Sequence, residues 1–483
     1  MKYFLKNHDR VTAVQEILIS LLPDEEHSPA ESGAEPGDCL LSEAFFEEGA
    51  ALCRTTVRRG GRETDSLCRE PFTGGAVERS RALTHAVKQS AYRALLPGLP
   101  QKPAWGAMTG VKPAKPVRMA LQSGLAPEQA DGFLHRRYDV EPERSSMAAQ
   151  CAFESLNCLR QIGRKEVQLY VGIPFCPAKC RYCSFVSNDV TRFGHLMEPY
   201  LAGLHAEIAA AGQALGRAGA AVGSLYIGGG TPTTLSAAQL DALLAALHHA
   251  FDLSACREMT VEAGRPETIT AEKMAVCARW GVSRVSVNPQ TMRDEVLRGV
   301  GRLHTAQDIR AAYRTVRAAG DFAVNMDLIA GLPGDDGEGL LDSVRKVADL
   351  EPENITLHCL ALKKGSPLRF GPRGVLDKEV VDRCHGLLAG RGYRPYYLYR
   401  QKYIAGGLEN VGFCRGGTAS FYNVCMMEEL CSVVALGGGG VTKLCDRTGR
   451  QVRRFANPKY PLEYINAHDR VLHRAKAFAE AEL

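Results

Sequence analysis

The sequence predicts an α/β protein centred on a partial (β/α)6 barrel at 161–394, with an N-terminal accessory α/β domain at 1–160 and a small C-terminal domain at 395–483. Three observations predict it. From Val167 onward, short apolar runs recur at Gln168–Ile173, Ser224–Ile227, Glu258–Glu262, Arg284–Val287, Ala323–Leu328 and Asn354–Leu360. Helix-like stretches separate them at Glu198–Leu215, Ala237–Ala250, Ala271–Trp280, Ala306–Ala319 and Gly339–Leu350. Strands that alternate with helices make parallel βα units, and six units are too few to close an eight-stranded barrel. The third observation is position: the chemistry-bearing residues follow strand ends, where a parallel barrel builds its site.

The first 160 residues read differently. Val11–Leu22 has the spacing of an amphipathic helix, and Glu25–Gly37 is Gly/Pro/Glu-rich and reads as a loop or disordered insert. A basic run, Arg54–Arg62, is expected to be a solvated loop face. A helix near Arg79–Leu95 precedes the turn-rich Trp105–Pro116, and helices over Pro116–Leu125 and Pro127–Arg137 each start on a proline, which suits the first helical position. The segment from Pro395 carries Tyr396, Tyr397 and Tyr399, a Gly run at Gly437–Gly440 and a polar helix.

Composition narrows the class. Lys+Arg 59 against Asp+Glu 54 gives +5, too weak a bias to require nucleic acid. No run of about 18 apolar residues is present, so no membrane span is expected. The first residues turn charged quickly, unlike a signal peptide. Sixteen scattered cysteines without an export signal suggest reducing cytosol and mostly free thiols.

One tight cluster stands out: Cys176-x-x-x-Cys180-x-x-Cys183, on a loop just after the first barrel strand. Three thiolates this close suit one soft metal centre. On a cubane cluster they leave one iron open, as catalytic metal sites leave a coordination position open. The competing reading is a structural zinc site with a distant fourth ligand such as Cys359 or His358.

The segment LYVGIPFCPAKCRYCSF resembles the cluster loop of the radical S-adenosylmethionine (SAM) superfamily. Together with WGAMTGVKPAKP, GGGTPTTL, VEAGRPETI, SRVSVNPQTM, NMDLIAGLPG, YYLYRQK, LENVGF and RRFANP, it is similar to the oxygen-independent coproporphyrinogen III oxidase group, most closely its HemZ type, coproporphyrinogen dehydrogenase. The resemblance runs from about Trp105 to Pro458. It implies a TIM-like radical SAM barrel and a [4Fe-4S] cluster on Cys176, Cys180 and Cys183. It also implies SAM contacts from Tyr170, Tyr182, Gly229, Gly230, Thr231 and Glu262. From the residues alone, the Gly228–Thr233 loop offers close backbone approach and amides that suit a carboxylate. Gln290, Arg302 and Asp327 match positions associated with a second SAM, and Ala361 matches an adenine-contacting position. Arg302 has the fork for a carboxylate, and Asp327, in an apolar strand, needs hydroxyl or guanidinium partners.

The implied activity is oxidative decarboxylation of coproporphyrinogen III propionates to vinyls through a 5′-deoxyadenosyl radical, in heme and porphyrin biosynthesis. An anionic tetrapyrrole substrate and an electron donor such as flavodoxin or ferredoxin go with it, acting on a cytoplasmic monomer. Arg54, Arg58, Arg59, Arg62, Lys363, Lys364, Arg400 and Lys402 are the basic residues considered for the substrate; no single catalytic side chain is assigned. Two departures stand out. Asn288-Pro289 precede Gln290 where the wider group tends to have Gly-Val, and Phe185 stands where the decarboxylating oxidase has a further cysteine. Two alternatives therefore remain: a heme carrier that delivers tetrapyrrole without turnover, and another radical SAM enzyme acting on a heme-like substrate. Against the carrier, the chain has no HNxxYW segment.

Overall fold

The computed structural model describes residues 1–33, 36–185, 187–361, 366–370, 376–401, 407–445 and 451–477. The chain forms two compact units, Met1–Ala149 with Arg400–Leu408, and Gln150–Tyr399 with Glu409–Leu483.

In the first unit the strands are β1 (Lys2–Lys6), β2 (Ser28–Pro29), β3 (Cys39–Glu47), β4 (Ala50–Arg59) and β5 (Arg62–Pro71), in the order β2-β1-β3-β4-β5. β1 runs parallel to β2 and β3, whereas β3, β4 and β5 form an antiparallel meander. The basic run expected as a solvated loop is instead β4 and its turn. Strand alternation explains this: Cys53, Thr55 and Val57 point into the core against the helices Val11–Leu21 and Ala76–Leu95, and the arginines between them face outward. Those arginines have local partners, Asp65 for Arg54 at 3.6 Å and Glu25 for Arg59 at 2.6 Å. The expected helix Pro127–Arg137 is broken into a 3-10 turn, Pro127–Gln129, and a short helix, Phe133–Tyr138. Asp131-Gly132 interrupts it, since glycine disfavours a helix interior.

The second unit holds an 11-stranded sheet. Six of its strands match the predicted βα rhythm: β6 (Glu166–Ile173), then β9 (Ala221–Gly229), β10 (Glu258–Glu262), β11 (Arg284–Ser286), β12 (Ala323–Ala330) and β13 (Asn354–Cys359). They are parallel and neighbour one another in chain order. Between β6 and β9 a two-stranded ribbon forms from β7 (Phe175–Cys176) and β8 (Asn188–Asp189). Helices return the chain at Met197–Ala218, Ala237–Ala250, Ala271–Arg279, Ala306–Ala319 and Gly337–Ala348. Four are capped as their sequences dictate, by Ser236 with Gln239, Thr270, Thr305 with Asp308, and Asp336.

The strands alternate sharply. Leu169, Val171, Leu225, Ile227, Val261, Val285, Val324, Met326 and Leu357 are buried apolar residues on one face. On the other face the in-register rows are polar or aromatic, with Gln168 opposite Ser224, Tyr170 opposite Tyr226, and Asp327 opposite Thr356. The apolar face packs on helices, and the second face carries the chemistry.

The segment from 395, expected as a separate appended domain, contributes strands to this same sheet: β14 (Arg394–Arg400), β15 (Glu409–Cys414), β16 (Val433–Gly437), β17 (Val441–Cys445) and β18 (Val452–Ala456). The order is β14-β15-β13-β12-β11-β10-β9-β6-β16-β17-β18. β16 lies parallel to β6, and β15 antiparallel to β13. The physical reason is a buried polar clasp beneath the strands. Glu258 accepts from the Ser420 hydroxyl at 2.7 Å and from the Phe421 amide at 2.9 Å, and Arg284 Nη2 donates to the Thr418 carbonyl at 2.9 Å. Buried charges need such partners, and they are supplied across more than 130 residues of sequence.

The second Gly run is a structural turn. Gly437 has φ 79°, and a Cβ there would lie 2.5 Å from the Gly172 carbonyl oxygen and 2.6 Å from the Tyr200 hydroxyl. Its amide donates to Glu207 at 2.8 Å, a buried carboxylate that also accepts from Tyr464 at 2.6 Å and Asn457 at 2.8 Å.

Candidate functional site

The cysteine loop leaves the C-terminal end of β6 and is tied on three sides. The Arg181 amide donates to the Val300 carbonyl at 3.0 Å, the Leu368 amide to the Arg181 carbonyl at 3.1 Å, and the Cys183 amide to the Cys180 carbonyl at 3.1 Å. Cys180 is buried; Cys176 and Cys183 are half-buried. Burial pushes the Cys183 thiol up to about 11 and raises Cys176 against the Thr231 and Ser187 hydroxyls.

The Gly228–Thr231 turn docks on this loop. The Gly230 amide donates to the Ile173 carbonyl at 2.8 Å and the Thr231 amide to the Phe175 carbonyl at 2.7 Å. These amides are spent within the chain, and do not form an open nest. A Cβ at Gly230 would lie 2.4 Å from the Phe175 carbonyl oxygen, so glycine is needed for the turn to dock on the cysteine loop. The Gly229 amide holds Glu262, and the Thr231 hydroxyl reaches Cys176 Sγ at 3.4 Å.

Glu262, at the end of β10, faces the same polar side. Burial raises its carboxyl to about 7, with the Asp327 charge adding to the rise and the Tyr226 hydroxyl opposing it by donating to Oε1. Tyr226 is the centre of an aromatic stack, with its ring centroid 6.3 Å from Tyr170 and 4.6 Å from Tyr422. Neither Tyr226 nor Tyr422 was among the sequence candidates. The β6–β9 register could have found Tyr226, since it pairs directly with Tyr170.

Gln290, Arg302, Asp327 and Tyr182 also converge. Gln290 adopts φ +69°, its amide donates to the Asp327 carbonyl at 2.8 Å, and its Oε1 accepts from the Tyr182 hydroxyl at 3.4 Å. Arg302 was expected to grip a carboxylate. Instead its guanidinium donates to the Asn288 carbonyl at 2.7 Å, the Gly264 carbonyl at 3.2 Å and the Tyr182 hydroxyl at 3.2 Å. It therefore fastens the strand-end loops that hold the site. Asp327 finds Asn325 Nδ2 at 2.8 Å and His358 Nε2 at 3.8 Å, where a guanidinium or ribose hydroxyls were expected. Burial acts to raise Asp327, but His358 and the neighbouring donors outweigh it and hold the carboxyl below its ordinary range.

The remaining basic candidates are dispersed. Arg400 is buried, lies over the Trp105 ring at 5.3 Å and donates to the Met108 and Gly407 carbonyls. Lys363, Lys364 and Lys402 lie outside the described residues. Ala361 follows β13 at the strand end, and Phe185 is 71% exposed. Tyr396 belongs to an apolar cluster with Cys158 and Cys425, whereas the Tyr399 hydroxyl approaches His358 Nδ1 at 3.3 Å.

Whether these residues fit a cluster and a polar cosubstrate is answered by their chemistry. Among the described residues, no three His, Cys, Asp or Glu side chains converge as for a single metal ion. A cubane spreads its thiolates over separate irons, so the three-cysteine loop suits it. Around the loop, Arg265 Nη2, Ser286 Oγ, Asn288 Oδ1 and Tyr422 Oη are buried without a partner, hydrogen-bonding capacity that a polar ligand would satisfy.

Residues 170–347 match the Radical SAM superfamily, the class that this βα unit and its cysteine loop define. That class carries a [4Fe-4S] cluster and uses SAM. The chain is 37% identical over 376 residues to the oxygen-independent coproporphyrinogen-III oxidase-like protein HemZ of Bacillus subtilis, covering 76% of this chain and 75% of the relative. It is 28% identical over 310 residues to the heme chaperone HemW of Haemophilus influenzae, covering 62% of this chain and 76% of that one. The solved coproporphyrinogen III oxidase HemN of Escherichia coli, a radical SAM enzyme, superposes with a TM-score of 0.50 at 22% identity over 66% of this chain and 72% of that one, a likeness of fold. The chain belongs to the HemZ-type, oxygen-independent coproporphyrinogen-III oxidase-like family of the radical SAM superfamily. No helix among the described residues is long and apolar enough to cross a membrane.

Proposed function

We propose that this protein is a radical SAM oxidoreductase that decarboxylates the propionates of coproporphyrinogen III to vinyls. The supporting observation is the placement of Glu262, Asp327 and a tyrosine stack on the polar face of the strands whose ends carry the three cysteines and Glu262, in a chain 37% identical to a protein named for that oxidase. Cys176, Cys180 and Cys183 hold the [4Fe-4S] cluster. Bound there, cluster and SAM supply a one-electron reductive cleavage that yields a carbon radical able to take hydrogen from an unactivated C–H bond.

The chain's own groups position and shield. Tyr226 and the Gly229 amide hold Glu262, with Tyr170 nearby, and this carboxyl would bind the SAM amino acid or ribose. Arg302 pins the β10 and β11 loops, and the tyrosine stack keeps water from the reacting carbon. A flavodoxin- or ferredoxin-type donor supplies the electron.

The test is anaerobic: reconstituted protein with SAM, dithionite and coproporphyrinogen III. Harderoporphyrinogen or protoporphyrinogen IX, formed with 5′-deoxyadenosine, is the expected result. Deoxyadenosine without decarboxylation refutes the substrate, and heme binding without SAM cleavage assigns the chain to the carrier role instead.

A further inference from the structure

The three cysteine sulfurs are not treated alike. Arg265 Nη1 donates to Cys180 Sγ at 2.9 Å. Cys176 faces the neutral hydroxyls of Thr231 and Ser187, and Cys183 the backbone at Phe185. Arg265 lies in the turn after β10, three residues beyond Glu262, and is 3% exposed. It is braced from behind. Nε donates to Glu267 Oε1 at 2.8 Å, Glu267 Oε2 meets His304 Nδ1 at 2.8 Å, and the Thr268 hydroxyl donates to the Arg265 carbonyl at 2.7 Å. Arg265 Nη2 is buried with no partner, leaving a donor on the same guanidinium unspent.

We propose that Arg265 is a positioning residue that tunes the cluster: by its N–H bond to the Cys180 sulfur and its fixed charge, it makes the cluster easier to reduce. This rests on the placement of the cluster on Cys176, Cys180 and Cys183. Reduction adds one negative charge to the cluster. A cation held against a ligand sulfur stabilises the reduced form more than the oxidised one, and burial magnifies the difference. The effect comes from outside the ligand set, as outer-shell donors commonly act on metal sites. Glu267 offsets part of the charge from the far side of the guanidinium, so it works in the opposite direction.

The test uses the full chain, reconstituted without oxygen, as wild type, Arg265→Gln and Glu267→Gln. Iron and sulfide per chain, the electron paramagnetic resonance spectrum of the reduced cluster and its midpoint potential are measured. Arg265→Gln is expected to load its cluster with a more negative midpoint and an altered spectrum. At a fixed donor potential its reduced fraction falls about tenfold, the size of one charge-assisted hydrogen bond. Glu267→Gln, which keeps an acceptor for Arg265 and removes the countercharge, is expected to move the midpoint positive. A loaded Arg265→Gln protein with wild-type potential and spectrum overturns the proposal. If Arg265→Gln fails to load, Glu267→Gln decides: a positive shift supports the tuning role, and an unmoved midpoint overturns it. A wild-type protein without a reducible [4Fe-4S] signal, or Cys180→Ala protein that retains one, overturns the cluster placement itself.

Discussion

Replacing Glu262 by glutamine is expected to stabilise the SAM-free protein at neutral and alkaline pH. Burial raises this carboxyl from an ordinary 4.5 to about 7. A raised acid stabilises the fold fully below the unfolded value, and that contribution is lost as pH climbs to the folded value. At 1.36 kcal/mol for each pH unit, the interval amounts to about 3 kcal/mol, an upper figure for the fold's loss between pH 4.5 and 7. Glutamine has nearly the same shape and no charge, and the Tyr226 hydroxyl can still donate to its oxygen. Thermal unfolding of wild type and Glu262→Gln, measured from pH 4 to 9, gives the difference. The midpoints should lie close at pH 4 and separate in favour of the variant up to pH 7, then run parallel. A flat difference, or one that favours wild type at high pH, refutes the argument that Glu262 is buried at a cost. The same variant should bind SAM more weakly, so the residue's stability and binding roles move in opposite directions.

Other outcomes follow from the geometry. Cys180→Ala should abolish both the iron–sulfur absorbance and SAM cleavage while the far-ultraviolet circular dichroism stays unchanged; cleavage that persists removes Cys180 from the ligand set. Gly230→Ala places a Cβ 2.4 Å from the Phe175 carbonyl oxygen, a backbone clash with no flexible partner, and should cost about 1–3 kcal/mol or prevent cluster loading. Iron content and unfolding midpoint would show it. Glu207→Ala strips an acceptor from Tyr464, Asn457 and the Gly437 amide, and should destabilise the second unit by about 3–5 kcal/mol, read by urea titration. A loss under 1 kcal/mol would mean that water replaces the carboxylate.

Much of the barrel was legible because helix and strand periods differ, and each predicted strand from β6 to β13 has its counterpart. The cysteine loop was equally plain, since three soft ligands in eight residues is a local signal. What the sequence hid is non-local. The β15 pairing with β13 and the β16 pairing with β6 join residues far apart in sequence, Asn354 with Cys414 and Gln168 with Val433, so a chain scan splits the later strands off as a domain. The same limit explains Arg302. Its donors face the Asn288 and Gly264 carbonyls, and backbone acceptors leave no trace in side-chain patterns. The arginines near Arg54 misled for another reason: the buried residues that alternate with them are Cys53, Thr55 and Val57, only weakly apolar as a set. Arg265 was unremarkable in sequence, being one arginine before a proline.

The position of β16 has a consequence for how the molecule is made. The strand that launches the cysteine loop is flanked on one side by a segment far along the chain; Cys431 meets Gln168 across 263 residues. Until residues 433–437 have been translated, β6 has an open edge and the Gly172 carbonyl lacks its seat against Gly437. Pairings this distant in sequence form late and slowly. β6 therefore gains its second neighbour only when residues 433–437 have been made and have returned to it, and a cysteine loop that rests on β6 is held on both sides only from then on.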